Sequence, residues 1–304
     1  MKINLVHFYT LLSVALVVSD AVTPEVYWKL VLPDSPMPTI VKDLLYPTGM
    51  RVHATHKEKP GYTKVQPETL KTACTDTGSE DQFINNMNGT MYFLENDLLQ
   101  GTEMKLNFGK NKNQKLSFIP RKVSDSIPFS SNKLPHIYNE FSVTPDSIEA
   151  KIIKQTIDEC EKKDIQGEDT TCVTSLESMV DFGIARLGKN VKAITTEVKT
   201  KKDTSLQIYK VEGAKKVNSN EFVICHKKNY AYAVFYCHKS VDIRVYMVSL
   251  VGVDGTKVNG VAVCSTDTGK WNPNHLAFQV LNVKPATVPI CNFLSEDHVT
   301  WVPY

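Results

Sequence analysis

The chain has 304 residues, 42% of them hydrophobic, and its 35 Lys and Arg nearly balance 33 Asp and Glu to leave a formal charge of +2. That balance excludes low-complexity disorder, a collagen-like repeat and a polybasic nucleic-acid surface, since each needs a bias that is absent here. The length suffices for one large domain or two small ones, with no metal needed to complete a core.

Lys2 precedes an apolar run from Leu5 to Val18, broken only by His7, Tyr9, Thr10 and Ser13, and the small residues Ser19 and Ala21 follow. This pattern predicts a signal peptide over 1–21. The run is shorter than the roughly 20 residues that span a bilayer, and no later stretch is apolar for that length, so no membrane span is expected. Entry to the secretory path permits disulfides and makes Asn88, in Asn88-Gly89-Thr90, a usable glycosylation site.

Residues 22–90 read as a leader to the domain. The stretch PEVYWKLVLPDSPMP from Pro24 to Pro38 carries four prolines and a Tyr-Trp pair, which suits an extended strip with aromatics free to dock on a surface. Arg51 to Asn88 is polar, contains Cys74 as its single cysteine, and reads as a linker. Apolar clusters begin at Met91-Tyr92-Phe93-Leu94, so one domain is expected over 91–304.

Two amphipathic helices are predicted in its first half. Pro145 opens the first, Asp146 and Glu149 have capping-box spacing, and Ala150, Ile153, Ile157 and Cys160 recur at helical intervals. In the second, Thr174 and Glu177 repeat that spacing, Leu176 to Leu187 carry one apolar face, and Gly188 supplies a stop. The last third predicts strands at Phe222–His226, Tyr230–Cys237, Val241–Val251, Lys257–Cys264, Leu276–Val283 and Thr287–Phe293, with a hairpin turn at Asp254-Gly255. Connections too short for helical crossovers make the sheet mostly antiparallel. The class is α+β, a mostly antiparallel sheet with two amphipathic helices ahead of it, stapled by disulfides.

Cys225-His226 and Cys237-His238 are ten residues apart, 25 residues lead on to Cys264-Ser265, and another 25 to Cys291-Asn292. Successive strand residues face opposite sides, so each Cys-His pair can send its sulfur to the core and its imidazole to the other face. No C-x-x-C or H-x-x-x-H spacing supports a zinc finger. In an oxidising compartment the sulfurs pair, and the four strand cysteines allow three connectivities. Cys160 and Cys172 bracket a polar loop and form a natural further pair, which leaves Cys74 over. Closing that loop stabilises the fold by roughly 2 to 3 kcal/mol.

This series resembles the signature of the plant BURP-domain family, and the likeness extends to FLENDLLQGTEMKLNF, PRKVSDSIPFSS, CVTSLESMVDF, YAYAVFYCH, DTGKWNPNHLAFQVL and EDHVTW, from about Met91 to the C-terminus. The unrepeated linker resembles the seed-protein or dehydration-responsive branches. The resemblance implies a protein of the apoplast, cell wall or seed storage vacuole and, in some members, a copper-dependent cyclase that crosslinks Tyr or Trp side chains of its own core peptides. Imidazole suits copper. Of the family's four histidines, His226 and His238 carry over as metal-ligand candidates, whereas Ser265 and Asn292 replace the other two. His275 in WNPNH and His298 in EDH are the remaining candidates to complete a site.

A self-cyclising precursor should also carry a short aromatic core peptide, yet Arg51–Asn88 holds only Tyr62 and Phe83 and no repeat. Tyr230, Tyr232, Tyr236 and Tyr246 fall in predicted strands, where aromatics pack. No G-x-S-x-G elbow or phosphate-cradling glycine loop is present. The favoured expectation is a non-enzymatic, secreted, disulfide-stapled protein, with the copper cyclase and a module binding cell-wall polysaccharide or protein as alternatives. No nucleic-acid partner is expected.

Overall fold

The computed structural model describes residues 23–45, 91–108, 116–162, 169–199 and 206–304. The expected signal peptide, Cys74 and Asn88 lie outside them. Seven helices occur among the described residues: α1 Pro24–Val31, α2 Thr39–Asp43, α3 Arg121–Ser124, α4 Leu134–Glu140, α5 Ile148–Glu161, α6 Leu176–Leu187 and α7 Leu276–Leu281. The strands are β1 Phe93–Leu94, β2 Glu103–Leu106, β3 Thr170–Val173, β4 Val191–Ile194, β5 Glu197–Val198, β6 Gln207–Lys216, β7 Phe222–Lys228, β8 Val234–Ser240, β9 Ile243–Gly252, β10 Lys257–Ser265, β11 Ile290–Phe293 and β12 Val299–Pro303.

The α+β class and the antiparallel pairing hold, but the strands form two sheets. The larger runs β1-β11-β10-β9-β6-β2 with β5 on β10, and the smaller runs β3-β8-β7-β12-β4. Phe222, Ile224 and Val302 of the smaller sheet pack against Val245, Val261 and Val263 of the larger, so the two inner faces share one core. Alternation along each strand then sends the neighbouring residues outward. On the outer face of the smaller sheet, Val223, Cys225, Phe235, Cys237 and Trp301 meet Leu176, Met179 and Val180 of α6. The outer face of the larger sheet buries Tyr209, Val211, Leu250, Cys264 and Cys291.

The Pro-rich strip is not an exposed extended ribbon. Thr23 Oγ1 accepts from Val26 N–H at 3.4 Å, Pro24 opens the first turn where its missing N–H costs nothing, and a two-turn helix results. Trp28 on α1 is only 2% exposed, its ring lies 5.3 Å from that of Trp301, and its indole N–H donates to the Ser35 carbonyl at 2.8 Å. Leu32, Val41 and Leu44 join the same core. Tyr27 donates to Asp181 on α6, which also receives Arg121 at 2.7 Å, so α1, α3 and α6 are tied at one carboxylate. A Trp spent in the core cannot be the surface aromatic of a wall-binding strip.

Both long helices start a residue or more away from the expected caps. Ser147 Oγ accepts from Ala150 N–H and caps α5, while Asp146 lies before it at φ 65°. Ser175 and Ser178 form the reciprocal box of α6 that Thr174 and Glu177 were expected to supply. Gly188 ends α6 at φ 83°, a conformation that favours glycine. On the inner side of α6, a Cβ at Gly183 would meet the Trp301 ring at 3.0 Å, so glycine lets the helix lie on the indole.

The expected strand Leu276–Val283 is a helix instead. His275 Nδ1 accepts from Ala277 N–H at 3.2 Å as its cap, and Asn282 in the left-handed region at φ 50° ends it. Tyr230 and Tyr232 precede β8 rather than belonging to it and pack with Phe141, Ile153 and Ile157 under α4 and α5. The Asp254-Gly255 turn joins β9 to β10 as expected, with Gly255 at φ 83°.

Candidate functional site: a histidine cluster behind the cross-strand disulfides

Among the described residues three disulfides form: Cys160–Cys172, Cys225–Cys237 and Cys264–Cys291. The first links the end of α5 to β3 around the polar loop. The other two join residues directly opposite on neighbouring antiparallel strands, since Cys225 faces Cys237 in the β7–β8 ladder and Cys264 faces Cys291 between β10 and β11. All four of these cysteines are fully buried on the outer faces.

The residue after each cysteine therefore lies on the inner face of its sheet. His226 follows Phe222 and Ile224 in alternation along β7, and His238 stands diagonally across the ladder, with His226 opposite Tyr236. His298 immediately precedes β12, whose Val299 pairs Cys225, so one further step of that register sets His298 beside His226. The result is a row of three imidazoles. His226 Nε2 is 3.2 Å from His238 Nε2 with the rings nearly parallel at 8°. His226 Nδ1 is 3.3 Å from His298 Nδ1 with the rings at 83°.

Burial holds the His226 imidazole well below the ordinary histidine range, and the neighbouring His298, His238 and Lys228 push in the same direction. On the other face of β7, burial lowers the Lys227 ammonium, partly countered by Asp297. Above about pH 6.5 His226 is neutral in both the folded and the unfolded chain, so it adds no pH dependence there. Below that, the unfolded chain takes up a proton that the folded chain refuses, and stability falls with pH at up to about 1.4 kcal/mol per unit from this group. In the chelator-treated protein, urea midpoints at pH 7.5 and 5.5 are expected to differ more for the wild type than for His226→Gln. Equal differences would remove His226 as the source.

A copper ion bound to imidazoles makes bonds of about 2 Å, like those of zinc, which puts two donors on one ion roughly 3 to 4 Å apart. Both close pairs meet that spacing. They use opposite nitrogens of His226, however, so one ion cannot take all three rings. Among the described residues no group of three or more His, Cys, Asp or Glu side chains converges on a single metal position. The residues thus fit a two-imidazole bite at His226 and His238, with His298 held against the far nitrogen. His275 lies apart, 4.6 Å from the Trp271 ring and 5.5 Å from that of Tyr92. Ser265 and Asn292 occupy the corresponding inner-face positions beside Cys264 and Cys291, on the side of β10 that carries Val261 and Val263.

The place of His298 was legible only as an EDH motif. Its neighbourhood follows from β12, a strand whose VTWVP stretch carries a proline and ends close to the chain terminus, and which was not predicted. No helix among the described residues is long and apolar enough to cross a membrane.

The sequence model of the BURP domain matches residues 91–303, and the chain belongs to this family. It is 45% identical over 258 residues to the BURP domain protein RD22 of Arabidopsis thaliana, covering 83% of this chain and 66% of that protein. It is 41% identical over 288 residues to BURP domain-containing protein 5 of Oryza sativa subsp. japonica, covering 92% and 87%. The BURP domain protein USPL1 of Arabidopsis thaliana is 40% identical over 222 residues, covering 70% and 79%. The chain thus spans just under two thirds of the length of RD22.

Proposed function

We propose that this chain is a secreted plant protein that acts in seed development, the cell wall or stress responses by binding rather than by catalysing a reaction, and that His226 and His238 form a copper-binding element. Family membership supports the biological setting, and the apolar N-terminal run with its small-residue end supports secretion, with Asn88 as the glycosylation site. The observation that supports the non-catalytic reading is that the inner face of the smaller sheet carries His226 and His238, whereas the equivalent positions after Cys264 and Cys291 on the larger sheet are Ser265 and Asn292. A hydroxyl and an amide are poor copper ligands beside imidazole, so half of the family's donor set is gone.

Copper bound at this site would supply one-electron redox chemistry. The chain's own residues set what is done with it. β7 and β8 hold the two Nε2 atoms 3.2 Å apart, and the surrounding core keeps His226 neutral and ready to donate its lone pair. The close approach of the imidazoles favours a second reading, the copper-dependent cyclase.

The two readings separate in one experiment on the purified, oxidised chain. Titration with copper is expected to show saturable binding that His226→Ala abolishes and His238→Ala weakens at least tenfold, while intact mass after incubation in air stays unchanged apart from the metal. A loss of two hydrogens per crosslink would establish the cyclase instead. Undiminished copper uptake by both variants would remove these histidines from any metal site.

A further inference from the structure

The larger sheet is wider than the smaller one that covers it. Its inner face is buried at Val245, Val261 and Val263 but, among the described residues, emerges from cover toward the other end of the same strands. There the burial pattern alternates strictly. In β2, Met104 and Leu106 are buried while Glu103 and Lys105 are exposed. In β6, Tyr209 and Val211 are buried while Ile208 and Lys210 are exposed, and in β9, Val248 and Leu250 are buried while Ser249 is exposed.

Register assembles the exposed residues into one surface. Lys105 faces Ile208, Glu103 faces Lys210, Lys210 faces Val251, and Val251 faces Lys257. After the bulge between Val211 and Gly213, Gly213 faces Ser249, which faces Asn259, and Lys215 faces Met247 on the same side. Lys105, Lys210, Lys215 and Lys257 therefore ring a patch with Ser249 and Asn259 at its centre. Against these four ammonium groups the face carries Glu103, the exposed Glu212 of the bulge and, opposite Asn259 on β5, Glu197. Other lysines of this protein are neutralised in place, as Lys270 is by Asp242 and Asp267, but none of these four forms an ion pair with a described residue.

We propose that this uncovered face of the larger sheet is a binding surface for an acidic polysaccharide, a hydroxyl-rich chain bearing carboxylates at intervals. Neighbouring strands lie about 4.8 Å apart, so Lys210 on β6 and Lys257 on β10, two strands away, are separated by roughly 10 Å. Charges at that spacing suit a repeating polyanion better than a single small anion. The hydroxyl of Ser249 and the amide of Asn259 are the donors and acceptors that sugar hydroxyls need. Among the described residues no aromatic ring lies on this patch to stack a base, which disfavours single-stranded nucleic acid. The inference rests on the reading that the protein acts by binding outside the cell, but its surface is independent of the histidine cluster.

The test uses the full oxidised chain with polygalacturonate as probe, measured by affinity electrophoresis and by titration at two salt concentrations. Wild type is expected to bind, with affinity that falls as salt rises. The variant carrying Lys105→Gln, Lys210→Gln, Lys215→Gln and Lys257→Gln is expected to lose at least tenfold, with an unchanged melting temperature. A control carrying Lys29→Gln, Lys42→Gln, Lys151→Gln and Lys189→Gln makes the same change in net charge elsewhere and should keep wild-type affinity. Equal losses in both sets, or no loss in the first, would overturn the proposal. So would equal or tighter binding to neutral dextran, duplex DNA or phosphatidylserine vesicles. Because the purified protein is assayed, failure here is distinguishable from failure of secretion, which cell fractionation reads, and from failure of copper binding, which the histidine variants read.

Discussion

Replacing Trp301 with alanine is expected to destabilise the protein by about 3 to 5 kcal/mol, the range for removing a large aromatic from a packed interior. Trp301 is fully buried on β12 between β7 and β4, and its ring is covered by Gly183 of α6 and by Trp28 of α1. One opposing effect moves the value toward the lower end. Its indole N–H has no hydrogen-bond partner among the described residues, and truncation relieves that unmet donor, which costs on the order of 1 to 3 kcal/mol. Trp301→Phe keeps most of the ring, drops the N–H, and should therefore lose much less than Trp301→Ala. Urea unfolding of the two variants decides the matter, and equal losses would show that the donor is satisfied in solution.

Removing the Cys225–Cys237 bridge by Cys225→Ala with Cys237→Ala is the second large effect, at about 3 kcal/mol on the chain-entropy estimate for a loop of this size. The histidine pair should nevertheless persist. The β7–β8 ladder runs through seven residue pairs from Phe222 opposite Ser240 to Lys228 opposite Val234, so backbone hydrogen bonds hold the register without the sulfurs. Copper affinity is thus expected to change less than tenfold at temperatures where the variant is folded. A stability loss under about 1 kcal/mol would mean that the ladder alone closes this ribbon in the unfolded ensemble. Abolished copper binding in the folded variant would mean that the bridge positions the imidazoles.

The parts of this fold legible in the sequence are those governed by short-range chemistry. The Asp254-Gly255 turn, the apolar stripe of α6 and the stop at Gly188 each depend on a few adjacent residues, and each is present. The Cys-His spacing likewise predicted sulfur and imidazole on opposite faces, because that follows from alternation alone. What could not be read depends on distant partners. In LAFQVL the six residues are apolar enough for a strand, and only the His275 cap and the left-handed Asn282 turn them into α7. Thr170–Val173 and Val191–Ile194 are four-residue edge strands whose identity comes from β8 and β12. The division into two sheets, and with it the approach of His298 to His226, is a property of packing with no local signature.

The placement of the two cross-strand bridges also governs how the molecule meets a reducing environment. Thiol exchange requires a thiolate to reach a sulfur, and those of Cys225–Cys237 and Cys264–Cys291 lie fully buried beneath the outer cores. Small reductants can attack them only when helices or strands lift away, so their cleavage follows the opening of the fold. Cys160–Cys172, half-buried at the end of α5, is the bond that such reagents reach first. During biosynthesis the same geometry favours one order of events: the β7–β8 ribbon oxidises most readily before α6 and Trp28 cover it, and a chain that closes too early traps the thiols of Cys225 and Cys237.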